Sequence, residues 1–463
     1  MKKVRWCLWL AFWSMLGSLG ACNKLNPTAP VIEPSAETIT PKRSTIQLPL
    51  LFSIAELEQF INSKLPDTLY NDQSFENQQD NLKLSVVNIG TISLKMAGDE
   101  LAYAIPLRVN VAVRTKLNQK LNTSFSLILK MKSKLSMTTN WQLVPKTQLH
   151  EIHWIEKPKL KVAFIRINIT KTVEKHLREK VPSILPLLDQ TLAQKLPIKE
   201  EITKIWNGIQ KPIRINKHLA PFWLKVKPKQ VHLQSISGDT KELMLDLVIE
   251  SFITLVPSGK RPQVALVPLE KLSHKKISTK GFQIYAFAKL PFVELNRLLK
   301  KELKGKSVET QGYKITIKQA KLAGSKGKVF LETKIKGATK GTLHFTGTPM
   351  VDSLNMVLSI TDFDFDVNTE NLLVESADWL LHEDVKATIG QSLHLPLAEQ
   401  VKKVPVLIEK GIAQSKLGNK LNVSFSDFIL TPHELVVNNQ EIQLLVKIEG
   451  DFDLTLDLLK PHL

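Results

Sequence analysis

Alternating apolar and polar residues run through long stretches of the chain. In IPLRVNVAVR (105–114) and SFSLILKMKSKLSM (124–137), apolar side chains recur at every second position, with polar or charged residues between most of them. A period of two is typical of antiparallel strands with one dry face and one wet face. Several long, one-sided strands in succession predict a strongly curved sheet that wraps around something apolar.

Two segments between these strands have helical spacing instead. FSIAELEQFINSKL (52–65) and ITKTVEKHLREKVPSILPLLDQTLAQKL (169–196) place apolar residues three or four positions apart. The second segment contains Pro182 and Pro186, which predict a kink or a split, since proline removes a helical hydrogen bond.

The same order of elements occurs a second time, with few identities. Three pairs of segments correspond in rank: 48–65 with 287–303, 183–194 with 392–403, and 222–255 with 421–454. The pattern predicts an α+β fold of two tandem units, each with one long helix and a curved antiparallel sheet. The first unit is placed at 45–256 and the second at 283–463, joined by a basic, proline-bearing connector at 257–282.

The N-terminus has the layout of an export signal. Lys2, Lys3 and Arg5 precede an apolar run from Trp6 to about Leu16 that is too short to span a bilayer, which needs about 20 residues. Residues 1–21 are therefore predicted to be a signal peptide. Residues 22–44, with four prolines, are predicted to be a flexible tether, which would reach roughly 60–70 Å when extended.

The end of this signal, LGAC (19–22), resembles the bacterial lipobox. The resemblance implies that the chain is cut before Cys22, that its sulfur carries a diacylglyceryl group and that its amine is acylated. Asn23 is not the aspartate of an inner-membrane retention signal, so the same resemblance implies an anchor in the outer membrane, with the body facing the periplasm. The alternative is an ordinary signal peptide with a chance cysteine at the cleavage site.

The charge balance favours anionic partners. The chain has 63 Lys and Arg against 44 Asp and Glu, a net charge of +19. Such a surplus attracts nucleic acid, lipid head groups or acidic polysaccharide. The export signal and only four tyrosines argue against nucleic acid, which leaves phospholipid or lipopolysaccharide. A basic surface that serves solubility alone is the other interpretation.

Candidate chemistry is sparse. HEIH (150–153) lacks the longer zinc-protease pattern, and the carboxylates of DFDFD (362–366) are better explained as the wet face of a strand than as a calcium site. The sequence contains neither a GxSxG motif nor a phosphate loop. We therefore predict no catalytic residue, no metal and no cofactor, and a protein that is not an enzyme.

Three further segments carry a family resemblance: ELEQFIN (56–62), APFWLKVKP (220–228) and FTGTPMVDSLNMVLSITDFDFDVNTENLLVESADWLL (345–381). With the lipobox, they resemble the DUF4403 family of bacterial lipoproteins, which is in turn similar to the tubular lipid-binding superfamily. That superfamily includes bactericidal permeability-increasing protein and cholesteryl ester transfer protein. The resemblance implies that each unit is a long helix inside a curved antiparallel sheet that encloses acyl chains.

On this basis the protein is expected to bind, and to transfer, a phospholipid or another ligand with acyl chains. The apolar strand faces would then line the cavity, through Leu107, Val109, Val111, Phe125, Leu127, Leu129, Leu444, Val446 and Ile448. The alternative is a non-enzymatic envelope scaffold in which the same faces form a solid core. A hydrolase of an envelope polymer is a third hypothesis, which would require a polar cleft.

Overall fold

The computed structural model describes residues 24–457 apart from 77–80, 115–118, 163, 196–197, 215–221, 279–280, 311–312, 353–356, 376–381, 392 and 397–420. Most of the described chain is β-sheet, with a few helices. This agrees with the strand-rich α+β fold that the alternating pattern predicts.

The elements of the first half of the chain are, in order, β1 (Lys24–Leu25), β2 (Ser44–Ser53), α1 (Ile54–Lys64), β3 (Thr68–Asp72), β4 (Leu82–Asn88), β5 (Ser93–Ala97), β6 (Glu100–Arg114), β7 (Lys120–Met137), β8 (Leu143–Trp154), β9 (Lys159–Val162), β10 (Ile165–Asn168), α2 (Thr170–Lys195), α3 (Ile198–Ile209), β11 (Ile213–Arg214), β12 (Phe222–Gly238) and β13 (Glu242–Pro257).

The elements of the second half are β14 (Phe282–Pro291), α4 (Phe292–Leu303), β15 (Ser307–Thr310), β16 (Tyr313–Ser325), β17 (Lys328–Gly337), β18 (Lys340–Asp352), β19 (Val357–Phe365), α5 (Val367–Glu375), α6 (His382–Gln391), β20 (Leu395–Pro396), β21 (Leu421–Val437) and β22 (Glu441–Asp457).

Three large sheets organise these strands. The first has the order β3-β4-β6-β7-β8, with β5 also paired to β6. The second has the order β15-β16-β17-β18-β19-β20, with β1 paired to β18. The central sheet takes strands from both halves, in the order β11-β12-β13-β14-β2-β22-β21. Each of the first two sheets buries one face in its own apolar core, which is why their strands alternate in the sequence.

The helices follow the predicted spacing. Helix α1 begins after Ser53, whose hydroxyl accepts a hydrogen bond from the Glu56 amide at 3.4 Å and so caps the first turn. Helix α2 runs unbroken through Pro182 and Pro186, so the predicted split does not occur. Both prolines are exposed, so water can satisfy the carbonyls that they leave without a partner. The predicted helical counterpart at 392–403 lies largely outside the described residues.

The central sheet joins the two halves through pairings of two kinds. Strand β13 is antiparallel to β2, with Leu245 opposite Leu50, and β14 is antiparallel to β22, with Ala288 opposite Leu444. The two pairs meet through parallel contacts between β13 and β14 and between β2 and β22, and through a short antiparallel contact between β14 and β2. Each half therefore contributes one antiparallel pair that contacts the other pair three times.

The segment between β1 and β2, residues 26–43, lies along the second half of the chain and is called the strap. Leu25, just before it, is buried and pairs with Gly341, where a Cβ would lie 2.0 Å from the Leu25 carbonyl oxygen. Further along, Ile39 is buried against Phe287 and Leu445, and its amide donates to Gln443 Oε1 at 2.7 Å. The described part of the predicted tether is thus bound to the body.

The strap makes further polar contacts with the same half. The side-chain amides of Asn438 and Asn439 donate to the Glu37 and Glu33 carbonyls, each at 3.0 Å. The Ser325 hydroxyl donates to the Glu33 carbonyl as well. These contacts satisfy backbone groups in a segment that forms no sheet of its own. The unit boundaries at 45, 257 and 283 stay predictions.

Candidate functional site

The buried face of the first sheet carries six of the predicted lining residues. Leu107, Val109 and Val111 lie on β6, and Phe125, Leu127 and Leu129 lie on β7. Val109 stands opposite Phe125 and Leu107 opposite Leu127, so the two strands present one continuous apolar surface. All six side chains are at most 4 % exposed and belong to a single core.

Helices cover this face. Helix α2 contributes a buried stripe at helical spacing, and α1 and α3 add buried residues to the same core. The stripe consists of Val173, Leu177, Val181, Leu188 and Leu192. The six predicted residues are therefore packed against protein side chains, and their assignment to a lipid cavity stays a prediction.

Helix α2 also lies along the last strand of the sheet. Strand β8 pairs with β7 on one side, and α2 occupies its other side. The helix begins where the Ile169 amide donates to the Pro158 carbonyl at 3.2 Å, and it contacts the start of β8 where Thr147 Oγ1 donates to Asp189 Oδ1 at 2.5 Å. The two elements are thus antiparallel over most of β8.

The line of contact between β8 and α2 is called the seam. Partly buried apolar residues of these elements pack on the first core: Leu149 and Trp154 of β8, Ile169 just before α2, and Leu185 and Leu187 of α2. At the seam, a helix rather than a hydrogen-bonded strand lies beside the last strand of the sheet. A helix packs on a strand mainly through side chains, so the two elements can move apart without breaking the backbone hydrogen bonds between strands.

Buried hydroxyl groups lie behind the seam. Tyr103 is 2 % exposed and Ser133 is fully buried, and the Tyr103 hydroxyl lies close to those of Ser133 and Thr147. Ser133 stands opposite Thr147 on β8, which places both near Asp189. Burial raises the pKa of the Tyr103 hydroxyl well above its ordinary value. The core therefore contains a small cluster of polar side chains.

Sequence reasoning did not find these polar residues. The signal was present, because Ser133 and Thr147 occupy positions of their strands that alternate with exposed lysines, and Asp189 interrupts an apolar stretch of its helix. A polar residue on a buried face needs a partner. The pattern alone could not reveal that the three converge, because they come from two strands and a helix.

The other three predicted residues lie elsewhere. Leu444, Val446 and Ile448 are on β22 in the central sheet, where they form a small cluster with Ala288. Their neighbour Leu445 belongs to a different cluster, with Ile39 and Phe287. The structure therefore does not bring the two predicted sets into one core.

Comparison with known proteins places the chain in a family. The model of a family described as a domain of unknown function (DUF4403) matches residues 42–456. The chain belongs to this family. No curated protein matches the sequence.

Two solved structures are similar to this DUF4403 protein over most of their length. Lipopolysaccharide binding protein is 13 % identical, with 89 % of this chain and 99 % of that chain covered and a TM-score of 0.21. P47 of Clostridium botulinum E1 is 10 % identical, with 89 % and 98 % covered and a TM-score of 0.22. Values this low establish neither a shared spatial arrangement nor a shared ligand.

The second core of the DUF4403 protein includes the DFDFD segment. Phe345 packs on Phe363 and Phe365, with ring centroids 5.1 and 4.5 Å apart. Asp364 accepts a hydrogen bond from Lys386 Nζ at 2.8 Å, which raises the pKa of that ammonium group. In the described part of the chain, no three or more His, Cys, Asp and Glu side chains are grouped so that they could hold a metal ion.

Two further observations concern the membrane. Cys22, the predicted lipidation site, lies outside the described residues. None of the helices in the described ranges is long and apolar enough to cross a bilayer.

Proposed function

We propose that this DUF4403 protein is a non-enzymatic lipoprotein that binds acyl chains between the buried face of the first sheet and helix α2. The observation that carries the proposal is the seam, where a helix rather than a hydrogen-bonded strand covers the edge of a one-sided apolar sheet. The ligand is a phospholipid or another molecule with acyl chains, which the protein binds and passes on.

The energetics allow an exchange of this kind. An acyl chain of about 15 methylenes gains roughly 12 kcal/mol when it leaves water, at about 0.8 kcal/mol per methylene. The six sheet residues are now covered by apolar side chains of the helices, so the ligand must displace α2 outward. The exchange replaces one apolar contact by another, against the Thr147–Asp189 and Ile169–Pro158 hydrogen bonds near the two ends of the seam.

The two-unit architecture is part of the proposal. If the halves are copies, β2 corresponds to β14 and β13 corresponds to β22. On this correspondence, the antiparallel pair β2–β13 of the first half should have a counterpart β14–β22 in the second half. The parallel contact β13–β14 should likewise have a counterpart β22–β2. All four pairings are present. Strands β2 and β14 are each followed directly by a helix. Both regularities support two tandem units of the tubular lipid-binding type, related by a pseudo-twofold axis.

The proposed anchor is the acylated Cys22 in the outer membrane, with the body in the periplasm. Lys24 pairs with Lys340, so an anchor two residues earlier would lie beside β18. The strap would then keep the second half close to the membrane, whereas a flexible tether would let it move away. Two or more acyl chains bind a bilayer essentially permanently.

The test of the proposal is to lock the seam. The natural cysteines are Cys7 and Cys22, so in the chain from residue 22 onward with Cys22→Ser, Thr147→Cys and Asp189→Cys create a unique pair where the side chains already touch. We expect a phospholipid with a fluorescent acyl chain to enter the reduced protein and to be excluded from the oxidised protein. The Thr147→Cys single variant under the same oxidant is the matched control. Equal uptake in both redox states would contradict the seam, and no uptake in either state would contradict lipid binding.

The burial of the predicted lining residues favours a second function. Side chains at most 4 % exposed form a closed core, as in an envelope scaffold that acts through protein contacts. In that case the locked and unlocked proteins behave alike and neither takes up lipid. The redox experiment therefore separates the two functions.

A further inference from the structure

The small sheet of β9 and β10 stands apart from the three large sheets. Its two strands pair only with each other among the described strands, with Asn168 opposite Lys159. All four residues of β10 are exposed. Phe164, at the turn, is fully exposed, and Ile165 and Ile167 are 68 % and 47 % exposed. The hairpin thus presents large apolar side chains to solvent.

Such a feature is unusual for a surface that has no partner. A single exposed apolar residue is ordinary, but several together mark an interaction site. Ile155, the first residue after the neighbouring strand β8, adds another side chain that is 54 % exposed. An isolated two-stranded hairpin is also only marginally stable, and apolar side chains that stay exposed on it add little to its stability.

The charges around the hairpin have one sign. Residues 157–173 contain no Asp or Glu and five basic residues, namely Lys157, Lys159, Lys161, Arg166 and Lys171. All five are exposed. The nearest acidic residue before this stretch is Glu156, and those after it, Glu174 and Glu179, lie within 2.9 Å of Arg178 and 3.4 Å of His176. The apolar tip therefore lies within a segment whose only charges are positive.

The same end of the first sheet carries a second basic group. Thr123 Oγ1 on β7 donates to the Lys159 carbonyl at 2.9 Å, which places the hairpin beside the start of that strand. There, Lys83, Arg114 and Lys120 lie 4.4 to 5.7 Å from the ring centroid of Phe75. The positive surface extends from the hairpin to this cluster.

We infer that the β9–β10 hairpin docks on an anionic phospholipid bilayer, with Phe164 and Ile165 inserted among the head groups and Lys159, Lys161 and Arg166 against the phosphates. Apolar and aromatic side chains within a basic surface suit the boundary of such a membrane. The inference deepens the proposed function, because a lipid carrier must meet a bilayer to load, and it names the surface that makes this contact.

The test uses the chain from residue 22 onward with Cys22→Ser, so that no anchor contributes. We expect it to cosediment with sucrose-loaded vesicles of phosphatidylcholine and phosphatidylglycerol, and far less with phosphatidylcholine alone. Replacing Lys159, Lys161 and Arg166 by Gln should weaken binding about 100-fold, at roughly fivefold per basic residue. Phe164→Ser should weaken it about tenfold, through the lost apolar insertion.

Matched controls remove equivalent groups elsewhere. Gln at Lys318, Lys321 and Lys334 makes the same charge change on exposed positions of the second sheet, and Ile429→Ser removes a side chain that is 71 % exposed. Both controls should bind like the parent chain. The inference is overturned if the parent fails to bind, if neutral vesicles bind equally well, or if the controls lose as much binding as the hairpin variants.

A second readout separates this inference from the proposed function. Uptake of a fluorescent lipid delivered as monomers needs the seam but no vesicle, so the hairpin variants should retain it. Vesicle binding without any uptake would support the docking hairpin and contradict the lipid cavity.

Discussion

The strap offers a direct perturbation, Ile39→Ala. Ile39 is 3 % exposed, packs on Phe287 and Leu445, and donates its amide hydrogen to Gln443 Oε1. The substitution removes three carbons from this contact, which costs about 2.4 kcal/mol at roughly 0.8 kcal/mol per carbon. Because the strap can detach without unfolding the sheets, we expect the loss to appear as easier local opening rather than as a lower global stability.

The assay is limited trypsin digestion under native conditions, followed at the bonds after Lys42 and Arg43. When opening is fast relative to cleavage, the cleavage rate follows the population of the open form. A loss of about 2.4 kcal/mol then raises the rate about 50-fold. The matched control is Val31→Ala on the same strap, since Val31 is 83 % exposed and its truncation should leave the rate unchanged.

The reasoning would be refuted if the parent chain and both variants were cleaved at one common, rapid rate. That result would mean that residues 26–43 behave as a free tether in solution. It would also remove the expectation that the anchor holds the second half close to the membrane.

Three further predictions follow from particular residues. Leu127→Ala, in the buried face of the first sheet, should lower the free energy of unfolding by about 3 kcal/mol in a denaturant titration, whereas the exposed Ile429→Ala should change it by less than about 0.5 kcal/mol. The Lys326 ammonium lowers the pKa of Glu33. The stabilisation from this strap contact is therefore fully present above the ordinary glutamate pKa, and it disappears as pH falls through the lowered pKa. An NMR titration should show the lowered pKa of Glu33 in the parent chain and an ordinary glutamate pKa in Lys326→Ala. Metabolic labelling with palmitate should mark the protein, and Cys22→Ser should abolish the label; no label on the parent would contradict the anchor.

The face that each long strand buries could be predicted from the sequence. Residues 105–114 and 124–137 alternate strictly enough that Val109 and Leu127 are assigned to the dry side, and both are buried. The prediction succeeds because in a strand the side-chain direction is fixed by a period of two, independent of distant contacts.

The strap could not be predicted in the same way. Ile39 lies in a proline-bearing segment without periodicity, and its partner Gln443 is 404 residues away in the sequence. Its burial depends on a surface that exists only after the second half has folded. The flexible-tether interpretation followed composition, which reports the absence of regular structure but not the absence of contacts.

The course of helix α2 shows a similar limit. Proline inside a helix predicts a break, yet Pro182 and Pro186 are both on the exposed side, while the buried stripe continues past them through Val181 and Leu188. Packing of that stripe on the first core outweighs two missing hydrogen bonds. The seam depends on this unbroken helix, so it could not be located before the helix was seen to be continuous.

The central claim is that the interior of the first unit accepts an acyl chain. Native mass spectrometry of the wild-type protein, extracted from membranes in mild detergent, tests it most directly. The account predicts a population with a noncovalently bound phospholipid in addition to the covalent anchor, and release of that lipid on unfolding. A spectrum that contains only the anchored protein, together with no uptake of fluorescent lipid, would contradict it.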